Sequence, residues 1–538
     1  MKLFAFLGAI VMGAALGCLS PDPATGETPN PATGETPNPT SGETANPTSG
    51  ESPSTAIGET SAAPQVTTPP AAAPAAPGDP LADIFGMAPV PAAPTLLVAA
   101  GDPLPPAGGS EVGPPQPDGG AVELNVGLSH PKVLAGGHRT VWLAVGIQAA
   151  EARPANRLPL NLALVIDRSG SMEGRKLKDA KAAAHGLVAL LSSDDRAALV
   201  TYSSSTRADV PSTLMGDGAR AAFTRAIDRM RASGSTFLTG GLFEGRAQVQ
   251  QHARRSQVNR VLLLSDGIAN VGITDPTWLA GQARQMSQQG VLISTIGVGN
   301  DYNEDLMTAV ADYGGGAYYY VRDSRDLASV VEREAQLMAS TVAQRMTLEL
   351  ELPTGVVLEN LFGYTYTREG NTVAVPLAEA FAGQGRNVLV QLRVPAVEQG
   401  PLPVARVRLS YEDVTGQEPL RFDRTVTLDA EATRDAWAVE DAVDRDVLAR
   451  LQQIRIAQAL NEAATAVSRG DRAGARRVLS TAREEAVKAN QAYGSSKLDN
   501  SIGVLGGVMD EMERAGGAPA AAPALMKRAK ASSYEMTK

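Results

Sequence analysis

Between residues 158 and 340, continuous apolar runs alternate with stretches in which apolar residues recur every three or four positions. The run 160–166 is of the kind that forms a strand buried on both faces. Further strands are expected at 197–202, 260–264, 291–298 and 317–321, separated by helices across 175–191, 218–230, a stretch opening after Thr236, 276–289, 304–311 and 324–340. Strand and helix in alternation predict an α/β unit, a doubly wound and mostly parallel sheet covered on both faces. On either side the period changes to two. Val122, Leu124 and Val126, then Val141, Leu143 and Val145, alternate with other residues around a Gly136-Gly137 turn signal. Beyond the α/β unit the alternation returns at Met346, Leu348 and Leu350, at Val373 and Val375, at Val388, Val390 and Leu392, at Val407 and Leu409, and at Val426 and Leu428. These positions predict an antiparallel β-sandwich over 341–430, joined by the strands of 121–150, with the α/β domain of 158–340 inserted between.

A helical pattern follows over 431–515, with Val443, Val447, Leu451 and Ile454 on one face and Gly470-Asp471 as a helix stop and cap. Two or three packed helices are expected there. The stretch 516–538 is Ala/Pro-rich, carries Lys527, Arg528 and Lys530, and reads as a disordered, solvated tail. At the other end, 1–18 has the short basic start and apolar stretch of a secretory signal. Its end, Ala15-Leu16-Gly17-Cys18, resembles a bacterial lipobox, which implies a lipidated Cys18; Leu19 after it resembles outer-membrane sorting in Gram-negative lipoproteins. Residues 23–30 recur at 31–38 and more loosely at 39–46 and 47–54, and an Ala/Pro-rich tract extends this to about 120. With no apolar stripe to bury, 19–120 is expected to be a disordered tether.

Composition narrows the function. The net charge of −10 and pI near 5.2 argue against nucleic acid as a partner, which needs a concentrated basic face. Cys18 is the sole cysteine of the chain, so neither a disulfide framework nor a thiolate metal site is available.

The candidate chemistry sits where the first strand of the α/β unit ends. Asp167, Ser169 and Ser171 place one carboxylate and two hydroxyls two residues apart in a turn, with no His or Cys beside them. All-oxygen donors suit magnesium, manganese or calcium better than zinc. Such Asp/Ser/Gly clusters are also ordinary turn chemistry. At these residues the chain resembles the von Willebrand factor A family, whose metal-ion-dependent adhesion site opens with Asp-x-Ser-x-Ser and is completed by a distant Thr and a distant Asp. Thr236, in Gly234-Ser-Thr-Phe-Leu-Thr-Gly240, resembles the second motif, with Thr239 as its rival, and Asp266, in Leu262-Leu-Leu-Ser-Asp-Gly267, resembles the third. The resemblance implies that Ser169, Ser171 and Thr236 contact a divalent ion, magnesium first, while Asp167 and Asp266 hold it through waters. One position is then left for a carboxylate supplied by a protein partner. The layout, including Leu352-Pro-Thr-Gly-Val356 and Gly363-Tyr364, also resembles bacterial secreted A-domain proteins described as calcium-activated chloride channel homologues, which does not make it a channel.

Other features have plainer readings. Arg469-Gly470-Asp471 falls at a helix-to-helix turn, His185 in an apolar helix reads as packed or partly exposed rather than catalytic, and Tyr318, Tyr319 and Tyr320 read as sheet residues rather than a carbohydrate platform. Ser171, His185 and Asp266 could be drawn as a nucleophilic triad, but no nucleophile-elbow motif accompanies them. The expectation is a lipid-anchored protein of the bacterial cell envelope, at the outer membrane, that binds a partner through its metal in adhesion or envelope assembly and is not an enzyme. The alternatives are a structural scaffold whose metal only rigidifies the domain and, third, a metal-dependent hydrolase, for which no general acid or base is evident.

Overall fold

The computed structural model describes residues 120–151, 157–515 and 522–538, all within one unit, 108–538. The readings at Cys18, the signal segment and the tether lie outside the described residues. In chain order the first strands are β1 Val122–Leu128, β2 Lys132–Leu134 and β3 Gly137–Ala149. Then come β4 Leu160–Asp167, α1 Arg175–Leu190, β5 Arg196–Tyr202, β6 Thr206–Leu214, α2 Asp217–Arg229, α3 Leu238–Gln250, β7 Val258–Ser265, α4 Pro276–Gln288, β8 Leu292–Val298, α5 Glu304–Gly314, β9 Gly315–Val321 and α6 Leu327–Ala339. After them lie β10 Thr341–Glu351, β11 Val357–Phe362, β12 Thr367–Glu369, β13 Thr372–Phe381, β14 Gly385–Ala396, β15 Gly400–Asp413 and β16 Leu420–Thr433. The helices α7 Ala436–Asp441, α8 Arg445–Ser468, α9 Arg472–Tyr493, α10 Ser496–Arg514 and α11 Ala522–Thr537 end the chain.

The α/β domain is a six-stranded sheet in the order β6-β5-β4-β7-β8-β9. Every pair is parallel except β5 with β6. All eight residues of β4 and all eight of β7 are buried, as central strands with helices on both faces must be. The edge strand β6 was not foreseen. Its sequence, Thr-Arg-Ala-Asp-Val-Pro-Ser-Thr-Leu, buries only Val210, and its proline is tolerated because an edge strand leaves one row of N–H groups unused.

Two further sheets, β1-β3-β14-β11 and β12-β13-β10-β15-β16-β2, face each other as a sandwich. Strand β3, which precedes the α/β domain, pairs antiparallel with β14, which follows it, from Gly137 opposite Ala396 to Gln148 opposite Gly385. The α/β domain is thus inserted into the sandwich. The alternation in the sequence is what achieves this: Val141, Leu143, Val145 and Ile147 of β3 are buried in one core with Leu348, Leu350, Val407 and Leu409. The outer face of the same sheet, at Trp142, Ala144 and Leu389, is covered by Val447, Leu451 and Ile454 of α8.

The C-terminal reading needs correcting. Among the described residues the region 431–515 has four helices, not two or three, and 522–537 is a helix rather than a disordered tail. Helix α11 buries Leu525 and Ala529 in one cluster with Ile456 and Leu460 of α8. Its basic residues are paired: the buried Lys527 ammonium lies 3.0 Å from Glu304 Oε2 and donates to the Tyr302 carbonyl at 2.8 Å, Lys530 reaches both Glu304 and Asp305 at 2.7 Å, and Arg528 pairs with Glu511. Acidic residues in the first turn of α5 therefore serve its N-terminus and α11 at once. Among the described residues no helix is long and apolar enough to cross a membrane.

Candidate metal centre

All five predicted donors come together at the C-terminal edge of the sheet, where ligand sites of doubly wound folds lie. Asp167 ends β4, and a single 3-10 turn, Gly170–Met172, follows it, pinned by the buried Met172. The Ser169 N–H donates to Asp167 Oδ1 at 2.8 Å, which folds the turn back on the strand. Backbone bonds from Gly170 N–H to Gly234 O, 2.9 Å, and from Ser233 N–H to Arg168 O, 2.8 Å, tie this loop to the one carrying Thr236. Asp266 follows β7 directly.

The hydroxyls form a chain: Ser169 Oγ and Ser171 Oγ are 2.9 Å apart, and Ser171 donates to Asp266 Oδ1 at 2.8 Å. Gly267 marks where they converge. A Cβ at that position would lie 3.1 Å from Ser171 Oγ, 3.2 Å from Thr236 Oγ1 and 3.9 Å from Ser169 Oγ, so a side chain there would fill the space the three hydroxyls share. Three hydroxyls and two carboxylates around a cradle that only glycine leaves open fit a hard divalent cation. Among the described residues no group of three His, Cys, Asp or Glu is placed to hold a metal ion.

Both carboxylates are fully buried. Burial pushes the Asp167 carboxyl above its usual range, the Asp266 charge adds to this, and the bonds from Ser169 and Ser265 oppose it. A divalent ion would relieve that cost, since it favours both ionised forms.

Several supporting residues escaped the sequence reading. Ser265 donates to Asp167 Oδ2 at 2.9 Å; the serine before Asp266 was the available signal. Asn270 accepts from the Thr236 N–H at 2.8 Å and returns its own N–H to the Thr236 carbonyl at 3.2 Å, with nothing local to announce it. Lys176 Nζ lies 2.6 Å from Asp266 Oδ2. The rival Thr239 is turned away, its hydroxyl donating to the Ile273 carbonyl. His185 pairs with Asp228 at 3.0 Å on the helical surface, and Ser171 is not its partner. Asp471 caps α9 through the Gly474 N–H, 2.7 Å, and Gly470 takes φ +81°, so the Arg-Gly-Asp tripeptide is a helix junction. The three tyrosines are engaged by Tyr302, Glu334 and Asn300.

Comparison with known proteins agrees with the fold of this domain. Residues 161–333 match the family model described as von Willebrand factor type A domain. The uncharacterized protein sll0103 of Synechocystis sp. is 28% identical over 384 residues, 68% of this chain and 88% of that protein. The uncharacterized protein YfbK of Escherichia coli is 35% identical over 219 residues, 40% of this chain and 38% of that protein. Among solved structures, a von Willebrand factor type A protein from Catenulispora acidiphila has the same fold at a TM-score of 0.60 and 20% identity, covering 72% of this chain and 90% of that one.

Proposed function

We propose that the von Willebrand factor A domain at 161–333 binds another protein through a divalent cation, magnesium first, in a lipid-anchored protein of the bacterial cell envelope. Ser169, Ser171 and Thr236 hold the ion, Asp167 and Asp266 balance its charge, and the partner supplies a carboxylate to the remaining position. The observation that carries this reading is the convergence of three hydroxyls, with both buried carboxylates beside them, on the space beside Gly267. A rim position suits recognition: Ser171 is exposed, so the ion would face outward while the donors' backbones are locked below. The role is that of a binding module, because a bound metal alone does not supply the acid and base that hydrolysis requires. Anchoring through Cys18 and display at the outer membrane rest on the lipobox-like sequence.

Calorimetric titration of Mg2+, Mn2+ and Ca2+ tests the centre, with Thr236→Ala as the variant. The expected result is one site in wild type and at least about a tenfold loss in Thr236→Ala, since one of few ligands is gone while the fold, checked by circular dichroism, stays. Absence of binding in wild type at millimolar ion would refute the centre. Capture from envelope extracts with and without EDTA tests the partner: equal capture under both conditions assigns the contacts to the scaffold surfaces instead. Loss of acyl label and of membrane association in Cys18→Ser is the expected outcome for the anchor, and unchanged association would exclude it.

A further inference from the structure

Lys176 stands in the first turn of α1, where the helix dipole disfavours a cation. Its ammonium is nonetheless placed against a metal-site carboxylate. Nζ lies 2.6 Å from Asp266 Oδ2, while Oδ1 of the same carboxylate accepts the Ser171 hydroxyl at 2.8 Å. The two oxygens of Asp266 are thus divided, one facing the hydroxyl cradle and one facing the lysine. Asp266 is fully buried and the Lys176 side chain is 27% exposed, so the pair is partly shielded from water. The loop after β8 flanks the other side of the ammonium, with Gly299 beside its stem and Asp301 Oδ2 at 4.0 Å. Asp301 is 79% exposed, and it offers Nζ a second, solvated partner.

We infer that Lys176 is a tethered counter-cation that sets the divalent affinity of the centre; this rests on the metal reading given above. Two buried carboxylates without a cation would repel each other and draw water or protons in. Lys176 neutralises one of them, which keeps the donor set assembled when no ion is bound. The same charge opposes the ion once it arrives, because a unit positive charge beside a ligand carboxylate repels a divalent cation a few ångströms further on. The centre is thereby less negative than its two carboxylates alone would make it. A bound divalent ion keeps an uncompensated positive charge, and this favours an anionic ligand at the open position.

The test uses the full chain, Mn2+ alone as probe, and electron paramagnetic resonance of free Mn2+ as the affinity readout. Wild type, Lys176→Met, Lys176→Arg and Thr236→Ala are compared, and each is also melted in EDTA and in saturating Mn2+. Lys176→Met is expected to bind Mn2+ about tenfold or more tightly than wild type, because a repelling charge is gone. In EDTA it should melt several degrees lower than wild type, since Asp266 is then buried unpaired, and saturating Mn2+ should erase the difference. Lys176→Arg keeps the charge and should stay within about threefold of wild type. If wild type binds Mn2+, Thr236→Ala does not, and Lys176→Met binds no more tightly than wild type, the inference about Lys176 is wrong while the centre stands. If neither wild type nor Lys176→Met binds Mn2+, the centre itself fails and the inference with it.

Discussion

Replacing Arg260 by methionine should loosen the inserted domain from the sandwich that carries it. Arg260 sits in β7, 2% exposed, and its Nη2 donates to Glu379 Oε2 of β13 at 2.5 Å. Its Nη1 donates to Ser294 Oγ at 3.0 Å and lies 3.6 Å from Glu334 Oε1. Glu334 in turn accepts from Ser294, 2.6 Å, and from Tyr319, 2.5 Å. One guanidinium thus serves two carboxylates, Glu379 and Glu334, each no more than 6% exposed. Removing it leaves both without their shared guanidinium in a low-dielectric boundary, at a cost of about 3–5 kcal/mol. Burial already pushes the Glu379 carboxyl above its usual range, with Arg260 pulling it down and Glu334 pushing it up, so without Arg260 it rises further. A folded pKa above the unfolded one favours the fold while the group is protonated, and this contribution is lost as pH rises through the folded value. The deficit of Arg260→Met should therefore be small near pH 4 and grow toward neutrality. Urea unfolding followed by fluorescence tests this, because Trp142 lies in β3 and Trp278 in α4, one in each half of the molecule. The double variant with Glu379→Met should recover at least about 1–2 kcal/mol of the loss. A single-variant deficit below about 1 kcal/mol, or one independent of pH and not relieved in the double variant, would show that this network does not join the two parts.

Asp195 gives an opposite pH signature. Burial pushes its carboxyl up, but the Arg157 bonds of 2.6 and 3.0 Å and the N–H groups of Leu160 and Ser192 outweigh that and hold it below the usual range. Its contribution is present above the unfolded value and lost as pH falls through the folded one, so Asp195→Asn should cost about 2–3 kcal/mol at neutral pH and progressively less below about pH 4. An acid-independent deficit in denaturant melts would contradict this. Ending the chain at residue 521 removes α11, leaves Glu304 without Lys527 and Lys530, and uncovers the α8 face around Ala457, whose carbonyl accepts the Ser533 hydroxyl at 2.7 Å. A lower melting temperature and faster proteolysis at 299–305 are expected; an unchanged melt would mean that the helix is dispensable. Asp167→Ala should abolish divalent-dependent stabilisation, read as the loss of the Mg2+-induced shift in melting temperature, and a full shift in that variant would remove Asp167 from the centre.

What the sequence disclosed and what it hid divide along one physical line. Apolar runs and alternations expose the elements that bury them, so β4 and β7 were legible from 160–166 and 260–264, and the strands that begin the sandwich from 122–126 and 141–145. The convergence of the candidate donors was legible for another reason: each is carried by a short motif at a strand end or helix start, and backbone geometry makes those ends meet. What stayed hidden consists of polar groups whose partners lie far along the chain. Lys527 meets Glu304 across 223 residues, and Arg260 meets Glu379 across 119. No local pattern distinguishes such a lysine from a solvated one, which is why α11 read as a tail. Edge strand β6 escaped for the complementary reason that an edge needs little apolar surface. Lys176 belongs to the hidden class although it lies only five residues after Ser171, because what gives it a role is Asp266, 90 residues on. A donor motif read from sequence therefore names candidate ligands, but a charge such as that of Lys176 beside them has to be read from the fold.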